Sequence, residues 1–272
     1  MSDLEARATE IRRIAVSLIH DAGSGHPGSC LSAADLLATL YFRELRDGRD
    51  RFVLSKGHAC PALYAALYLR GYFDRATLGT FRRLGGTLQG SPTTSIRGID
   101  ATCGSLGQGF SIAVGLALGF RQTKHDGRVF VMLGDGELQE GQVWEAAMAA
   151  GHHRLGNLCA IVDYNKMQSD DLNERTMGVE PLDAKWGAFN WHVRPIDGHD
   201  FDGIEAAFAD ARSRRDRPTV IVAHTIKGKG VSYMEGVPSW HGSVKLKPEE
   251  IARALADLGV EADRTREYAF RA

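Results

Sequence analysis

Short runs of branched apolar residues alternate along the chain with longer stretches in which apolar positions recur every three or four residues. Runs of the first kind cover residues 129–133 and 158–162 and predict buried parallel strands, and further strands are expected over 51–54, 191–195 and 219–223. Stretches of the second kind cover residues 4–21, 61–70, 108–123, 139–153, 202–214 and 248–258, and they predict helices. A further helix is expected from Ser32, read as an N-cap with Asp35 three positions on, to about Leu45. Short helices are expected after Asp74 and over 182–189. Gly, Pro, Ser and Thr mark 85–105 as loop, and 170–181 reads the same way. Strands alternating with helices predict an α/β fold, a doubly wound, mostly parallel sheet with helices on both faces. The chain reads as a single domain over residues 1–272, with 245–272 peripheral.

One connection carries candidate chemistry. Gly134-Asp-Gly-Glu137 follows the strand at 129–133, and Asn165 follows the strand at 158–162. The helix at 139–153 is the crossover between them, so Asp135 and Asn165 stand just past the carboxyl ends of two strands of one βαβ unit. In open α/β sheets ligands bind there. A carboxylate oxygen and an amide oxygen make a hard but incomplete site for magnesium, which takes its remaining ligands from phosphate oxygens and water. The two glycines allow the backbone to approach a diphosphate closely.

Composition narrows the partners. The 272 residues are 43% hydrophobic and 25% charged, with a formal net charge of −1, and the lysines and arginines are scattered. Neither nucleic acid nor an anionic membrane surface is expected as a partner. Cys30, Cys60, Cys103 and Cys159 are widely spaced, which disfavours disulfides and structural zinc and predicts a cytoplasmic location. Residues 1–20 form an amphipathic helix rather than a signal peptide, and no apolar run reaches the length of a membrane span. The 31 glycines cluster at 23–28, 85–90, 104–109 and 228–230, as loops around a phosphorylated ligand would require.

Ser24-Gly-His-Pro-Gly28, Leu54-Ser-Lys-Gly-His58, Gly104-Ser-Leu-Gly-Gln-Gly109, Gly134-Asp-Gly-Glu-Leu-Gln-Glu140 and Asp197-Gly-His-Asp200 occur in this order. Together with Asn165 they resemble the thiamine diphosphate-binding domain of the transketolase family, over about residues 10–247. The resemblance implies thiamine diphosphate with Mg²⁺, for which Ca²⁺ or Mn²⁺ could substitute. It implies metal ligation by Asp135, Asn165 and the Met167 carbonyl. It implies cofactor contacts from His58, Gly104, Leu106, Gly107, Asp135, Gly136, Glu137, Asn165 and His241. His26, His58, His241 and Glu140 would be the catalytic side chains, with His26 on donor hydroxyls. Glu140 and Glu145 would lie at a subunit interface. His199 and Asp200 read as structural.

The chain resembles the separate N-terminal subunit of split transketolases. That implies a C-terminal partner subunit carrying the pyrimidine-binding and C-terminal domains, an α2β2 assembly, and two-carbon ketol transfer between a ketose (phosphate) and an aldehyde. Ser91-Pro92-Thr93 stands where the family carries a histidine motif that contacts the donor. Ser169 replaces an apolar residue, and Cys103 replaces a threonine. The substrate pocket is therefore expected to be altered, and a specialised role is as open as a central metabolic one. Two other readings remain. A 2-oxo acid dehydrogenase-type decarboxylase subunit shares Gly-Asp-Gly…Asn but leaves 24–28 and 55–58 unexplained. A non-catalytic relative would bind cofactor or partner for regulation.

Overall fold

The computed structural model describes residues 2–168 and 171–271. In chain order its elements are α1 (Asp3–Ala22), α2 (Pro27–Thr39), β1 (Arg51–Leu54), α3 (Cys60–Leu69), α4 (Arg75–Leu78), α5 (Gln108–Gln122), β2 (Val129–Gly134), α6 (Gly141–His152), β3 (Leu158–Tyr164), β4 (Met167–Gln168), β5 (Asp171–Leu172), α7 (Asn173–Thr176), α8 (Leu182–Ala188), β6 (His192–Asp197), α9 (Phe201–Ser213), β7 (Thr219–His224) and α10 (Pro248–Asp257). Five strands form one sheet in the order β1-β2-β3-β7-β6, and every neighbouring pair is parallel.

The period-two alternation of strand side chains divides the core. Phe52, Phe130, Ile161 and Ile221 face a cluster built with α1, α2 and α3. Val53, Val131, Val162 and Val222 face a second cluster that includes Phe110, Val143 and Trp186. Helices thus cover both faces, and β3 is buried along its whole length, which is why residues 158–162 are continuously apolar rather than alternating. Burying each such large side chain contributes about 1.5–3 kcal/mol, so the central strands anchor the loops at their ends.

Three local expectations change. The second helix starts at Pro27, with His26 in the N-cap position, not at Ser32. Proline is preorganised for a first helical turn. Ser32 lies inside the helix, and its hydroxyl donates to Asp163 Oδ2 at 2.7 Å. Asp35 accepts two bonds from the Arg12 guanidinium, at 2.9 and 2.6 Å. A capping pattern is local, whereas these side chains answer partners far along the chain. Second, the stretch at 170–181 is not all loop: its described residues include β5, which pairs antiparallel with β4, and α7. Ser169 lies outside the described residues. Third, the terminal stretch packs inward. Ile251, Ala254, Leu255 and Leu258 join the larger core, and Arg13 donates twice to the Leu258 carbonyl, at 2.9 and 2.7 Å. Val244 and Gly25 exchange backbone bonds at 2.8 and 3.2 Å, which pins the glycine-rich turn before His26. No helix among the described residues is long and apolar enough to cross a membrane.

Candidate active site

Four parallel strands deliver their following loops to one edge of the sheet. Lys56 and His58 come after β1, Asp135 after β2, Asn165 after β3 and Lys227 after β7. They line a cleft of about 170 Å³ that also receives Ser29, Leu106, Glu140 and His241. Chain segments more than 200 positions apart in sequence thereby meet around one space.

Two of the oxygens expected to ligate metal lie against one ammonium. The Lys227 ammonium lies 3.3 Å from Asn165 Oδ1 and 3.4 Å from the Met167 carbonyl, and it also contacts His241 Nδ1. Asp135 is 2% exposed, and its charge is the strongest attraction acting on the Lys227 ammonium. Burial pushes the Asp135 carboxyl up and the Lys227 ammonium down, and their mutual attraction opposes both shifts. A cation therefore already sits against two of these oxygens, and the Asp135 carboxylate acts on it through its charge. Three hard oxygens with an incomplete shell are what a divalent ion sharing its coordination with phosphate requires. The Asp135 oxygens are also fixed by backbone donors, Gly136 N at 2.9 Å and Lys166 N at 2.5 Å.

Three of the expected cofactor contacts have other neighbours. The Gly136 N–H, expected to face phosphate, is turned back onto Asp135. A Cβ at Gly136 would meet Gln168 Cβ at 2.8 Å, so glycine here permits the β4–β5 hairpin to close on the cleft. Glu137 lines the cleft, but its carboxylate is already engaged. It accepts from Ser55 Oγ at 2.5 Å, Gly107 N at 2.8 Å and Gly134 N at 3.0 Å. Glu137 ties three loops together. Gly104 stands beside Ser91 rather than in the cleft, with a Cβ there falling 3.4 Å from Ser91 Oγ. Glu140 and Glu145 are exposed, Glu140 at the cleft rim.

His26, His58 and His241 lie close together. The His26 and His58 ring centroids are 5.1 Å apart, and those of His58 and His241 are 5.9 Å apart. His58 Nε2 pairs with Ser29 Oγ at 3.1 Å, while His26 Nδ1 is buried without a partner among the described residues. Burial, then Arg82 and Lys227, lowers His26 to about 4. Burial, then Lys227, lowers His241 to about 3. Burial and Lys56 hold His58 well below the usual imidazole range. All three are neutral at neutral pH, each with one N–H donor and one lone pair. The linkage sign follows: below about pH 6.5 the unfolded chain takes up protons that the folded chain refuses, so stability falls as pH drops towards 4. The cofactor-free chain should lose melting temperature over that window, and His58→Asn should flatten the loss. Equal slopes for variant and parent in thermal melts at each pH would contradict this account.

Under the cleft lies a polar floor that the sequence reading missed. Lys56 Nζ pairs with Asp163 and donates to the Ser29 carbonyl at 3.1 Å. Asp163 also accepts from the Ser32 and Thr225 hydroxyls. Burial pushes its carboxyl up, but Lys56 and the hydroxyls outweigh burial and hold it below the usual range. His199 accepts at Nε2 from Ile226 N at 2.8 Å, so Nδ1 carries the proton and donates to Asp35 at 2.6 Å. His199 thus steadies the loop that presents Lys227, in keeping with a structural reading. Lys56 and Lys227 each follow a strand within a glycine-containing motif, so the strand-end rule applied to Asp135 points to them too. Asp163, a carboxylate ending a buried strand, demands a cationic partner on the same logic.

Residues 4–269 match the family model described as "Transketolase, thiamine diphosphate binding domain". The chain is 46% identical over 269 residues to the 6-deoxy-6-sulfo-D-fructose transketolase subunit SqwG of Clostridium sp. (strain MSTE9), covering 95% of this chain and 97% of that one. It is 38% identical over 264 residues to one subunit of the apulose-4-phosphate transketolase of Phocaeicola vulgatus, covering 93% and 94% respectively. Among solved structures, the transketolase of Campylobacter jejuni superposes with a TM-score of 0.91 at 30% identity, over 98% of this chain and 46% of that one. The chain belongs to the transketolase family, a family of transferases. It matches subunit relatives nearly end to end but spans less than half of a single-chain transketolase, as the N-terminal subunit of a split transketolase does.

Proposed function

We propose that this chain, as a single diphosphate-binding domain, holds thiamine diphosphate through Mg²⁺ and works with a C-terminal partner subunit to transfer a two-carbon ketol unit from a ketose to an aldehyde. The observation that supports the reading is the placing of Asn165 Oδ1 and the Met167 carbonyl against one ammonium, with the charge of buried Asp135 acting on that ammonium, beside neutral imidazoles. Asp135, Asn165 Oδ1 and the Met167 carbonyl would hold the metal, and Lys227, displaced from them, would turn its charge to phosphate. When bound, the cofactor supplies the electron sink that lets the bond beside a ketose carbonyl break. His26, His58 and His241, kept neutral by burial, can donate to or accept from hydroxyls and phosphate oxygens without carrying charge. The anionic sugars in the relatives' names make a ketose with a phosphate or sulfonate end the substrate class we expect. The buried free cysteines fit a cytoplasmic setting. The α5 and α6 surface, with Ile112 39% and Met148 56% exposed beside Glu140 and Glu145, is the face we assign to self-association in an α2β2 assembly. Calorimetric titration with thiamine diphosphate tests the cofactor half. Tight binding should need Mg²⁺, and equal affinity with and without the metal would refute the site.

A further inference from the structure

A second cavity opens between α1, α10 and the C-terminal stretch 265–269. It measures about 320 Å³, room for one small molecule, and shares no lining residue with the catalytic cleft. Ser17, His20 and Asp21 of α1 line it, and helical spacing puts them on one face. α10 adds Ile251 and Leu255, one turn apart. The third wall is tied to α1 at two points. The Tyr268 hydroxyl donates to Glu10 Oε2 at 2.8 Å, and the Phe270 N–H donates to Asp21 at 2.8 Å. The cavity is therefore framed by fixed bonds rather than left by loose packing.

Most polar groups of the wall are already engaged. Asp21 also accepts from the Arg271 N–H at 3.2 Å, and the Thr265 hydroxyl donates to the Ala262 carbonyl at 3.0 Å. Ser17 is different. It is 2% exposed, and its hydroxyl has no partner among the described residues. A buried hydroxyl left unpaired is destabilising. His20 lies one turn further along α1. Its Nδ1 faces the Leu246 carbonyl at 3.0 Å, so that nitrogen carries the proton and Nε2 presents a lone pair. A water needs about two to four polar partners and would leave the apolar wall unfilled. A molecule with an apolar body and one donor group answers both parts of the wall. A charged one would lose its hydration beside Ile251 and Leu255 without a matching return.

The His20 bond also leads towards the catalytic cleft. Leu246 ends the segment that begins at His241, and Val244 within that segment exchanges backbone bonds with Gly25, next to His26. A donor placed on His20 Nε2 polarises the ring and strengthens its bond to the Leu246 carbonyl.

We infer that this cavity is a second ligand site, for a small uncharged molecule with a compact apolar body and one hydroxyl or N–H donor, and that its occupant steadies the Gly25–Val244 bridge between His26 and His241. The probes are phenol and indole, with toluene as the ring that lacks a donor. Each is titrated calorimetrically into the purified chain without cofactor, so the site is read apart from the proposed function. Phenol and indole should bind saturably, one molecule per chain, and toluene at least about 5-fold more weakly than phenol. Ser17→Ala should bring the phenol and toluene affinities together. Ala252 lines the cavity from the exposed side of α10, so Ala252→Phe fills the space without entering the core and should weaken phenol by at least about 10-fold. If Ala252→Phe fails to fold, Ser17→Ala decides alone. Non-saturable uptake, or phenol binding unchanged in the folded variants, overturns the site. Amide hydrogen exchange reads the second half. Saturating phenol should slow exchange at Gly25 and Val244 by about 5-fold in the parent and leave Ala252→Phe unmoved. Phenol binding with unchanged exchange would keep the site and overturn its link to the bridge.

Discussion

Asp135→Ala should weaken thiamine diphosphate binding in Mg²⁺ by at least about 100-fold. The side chain is the one carboxylate in the proposed metal set, and neutral oxygens alone leave most of the charge on metal and diphosphate uncompensated. Removing one partner from a buried ionic cluster costs on the order of 3–5 kcal/mol, and each 1.4 kcal/mol is a factor of ten. The structure adds a second arm to the test. Burial opposes ionisation of Asp135, so without metal its charge is a burden on the fold. Asp135→Asn keeps the size and removes that charge, and the metal-free variant should melt at or above the parent temperature while losing cofactor affinity. Calorimetry and thermal melts of one preparation read both arms. A variant that loses stability and affinity together would make Asp135 a structural residue. Unchanged affinity would remove the metal site altogether.

How far the sequence carried the reading depended on the range of the interactions involved. The strands at 129–133 and 158–162 were legible because burial on both faces writes itself locally as continuous branched residues. Asp135 and Asn165 were legible because position after a strand is also local information. Ser32 was misread because an N-cap pattern says nothing about a carboxylate on β3 waiting 131 positions away. Glu137 was given to the cofactor because its neighbours were. Only the fold shows that its oxygens hold Ser55, Gly107 and Gly134. Lys227 was passed over as loop, although a lysine inside Ile226-Lys-Gly-Lys-Gly230 after a strand obeys the rule that singled out Asp135.

Ketol transfer should appear only when this chain is combined with its C-terminal partner. Among the described residues, the carboxylates lining the cleft are Asp135, Glu137 and Glu140. Asp135 belongs to the metal set, Glu137 is spent on three loop contacts, and Glu140 sits exposed on the rim. None is free to face the aminopyrimidine of the cofactor, which the family resemblance assigns to the pyrimidine-binding domain of the partner subunit. A diphosphate held without such a carboxylate is bound but not activated, so affinity and turnover should separate. The isolated chain should bind thiamine diphosphate with Mg²⁺ and give no transfer in a coupled assay. Adding the partner should restore transfer, which would also dispose of a purely regulatory role. Light scattering of the active mixture should show two copies of each subunit, because the apolar α5 and α6 face lies next to the Glu140 rim. Charging that face with Met148→Glu should then shift the mixture towards smaller species and reduce turnover, while cofactor binding by the isolated chain stays intact. Turnover by the chain alone at the rate of the mixture would mean that the missing carboxylate is within this chain after all.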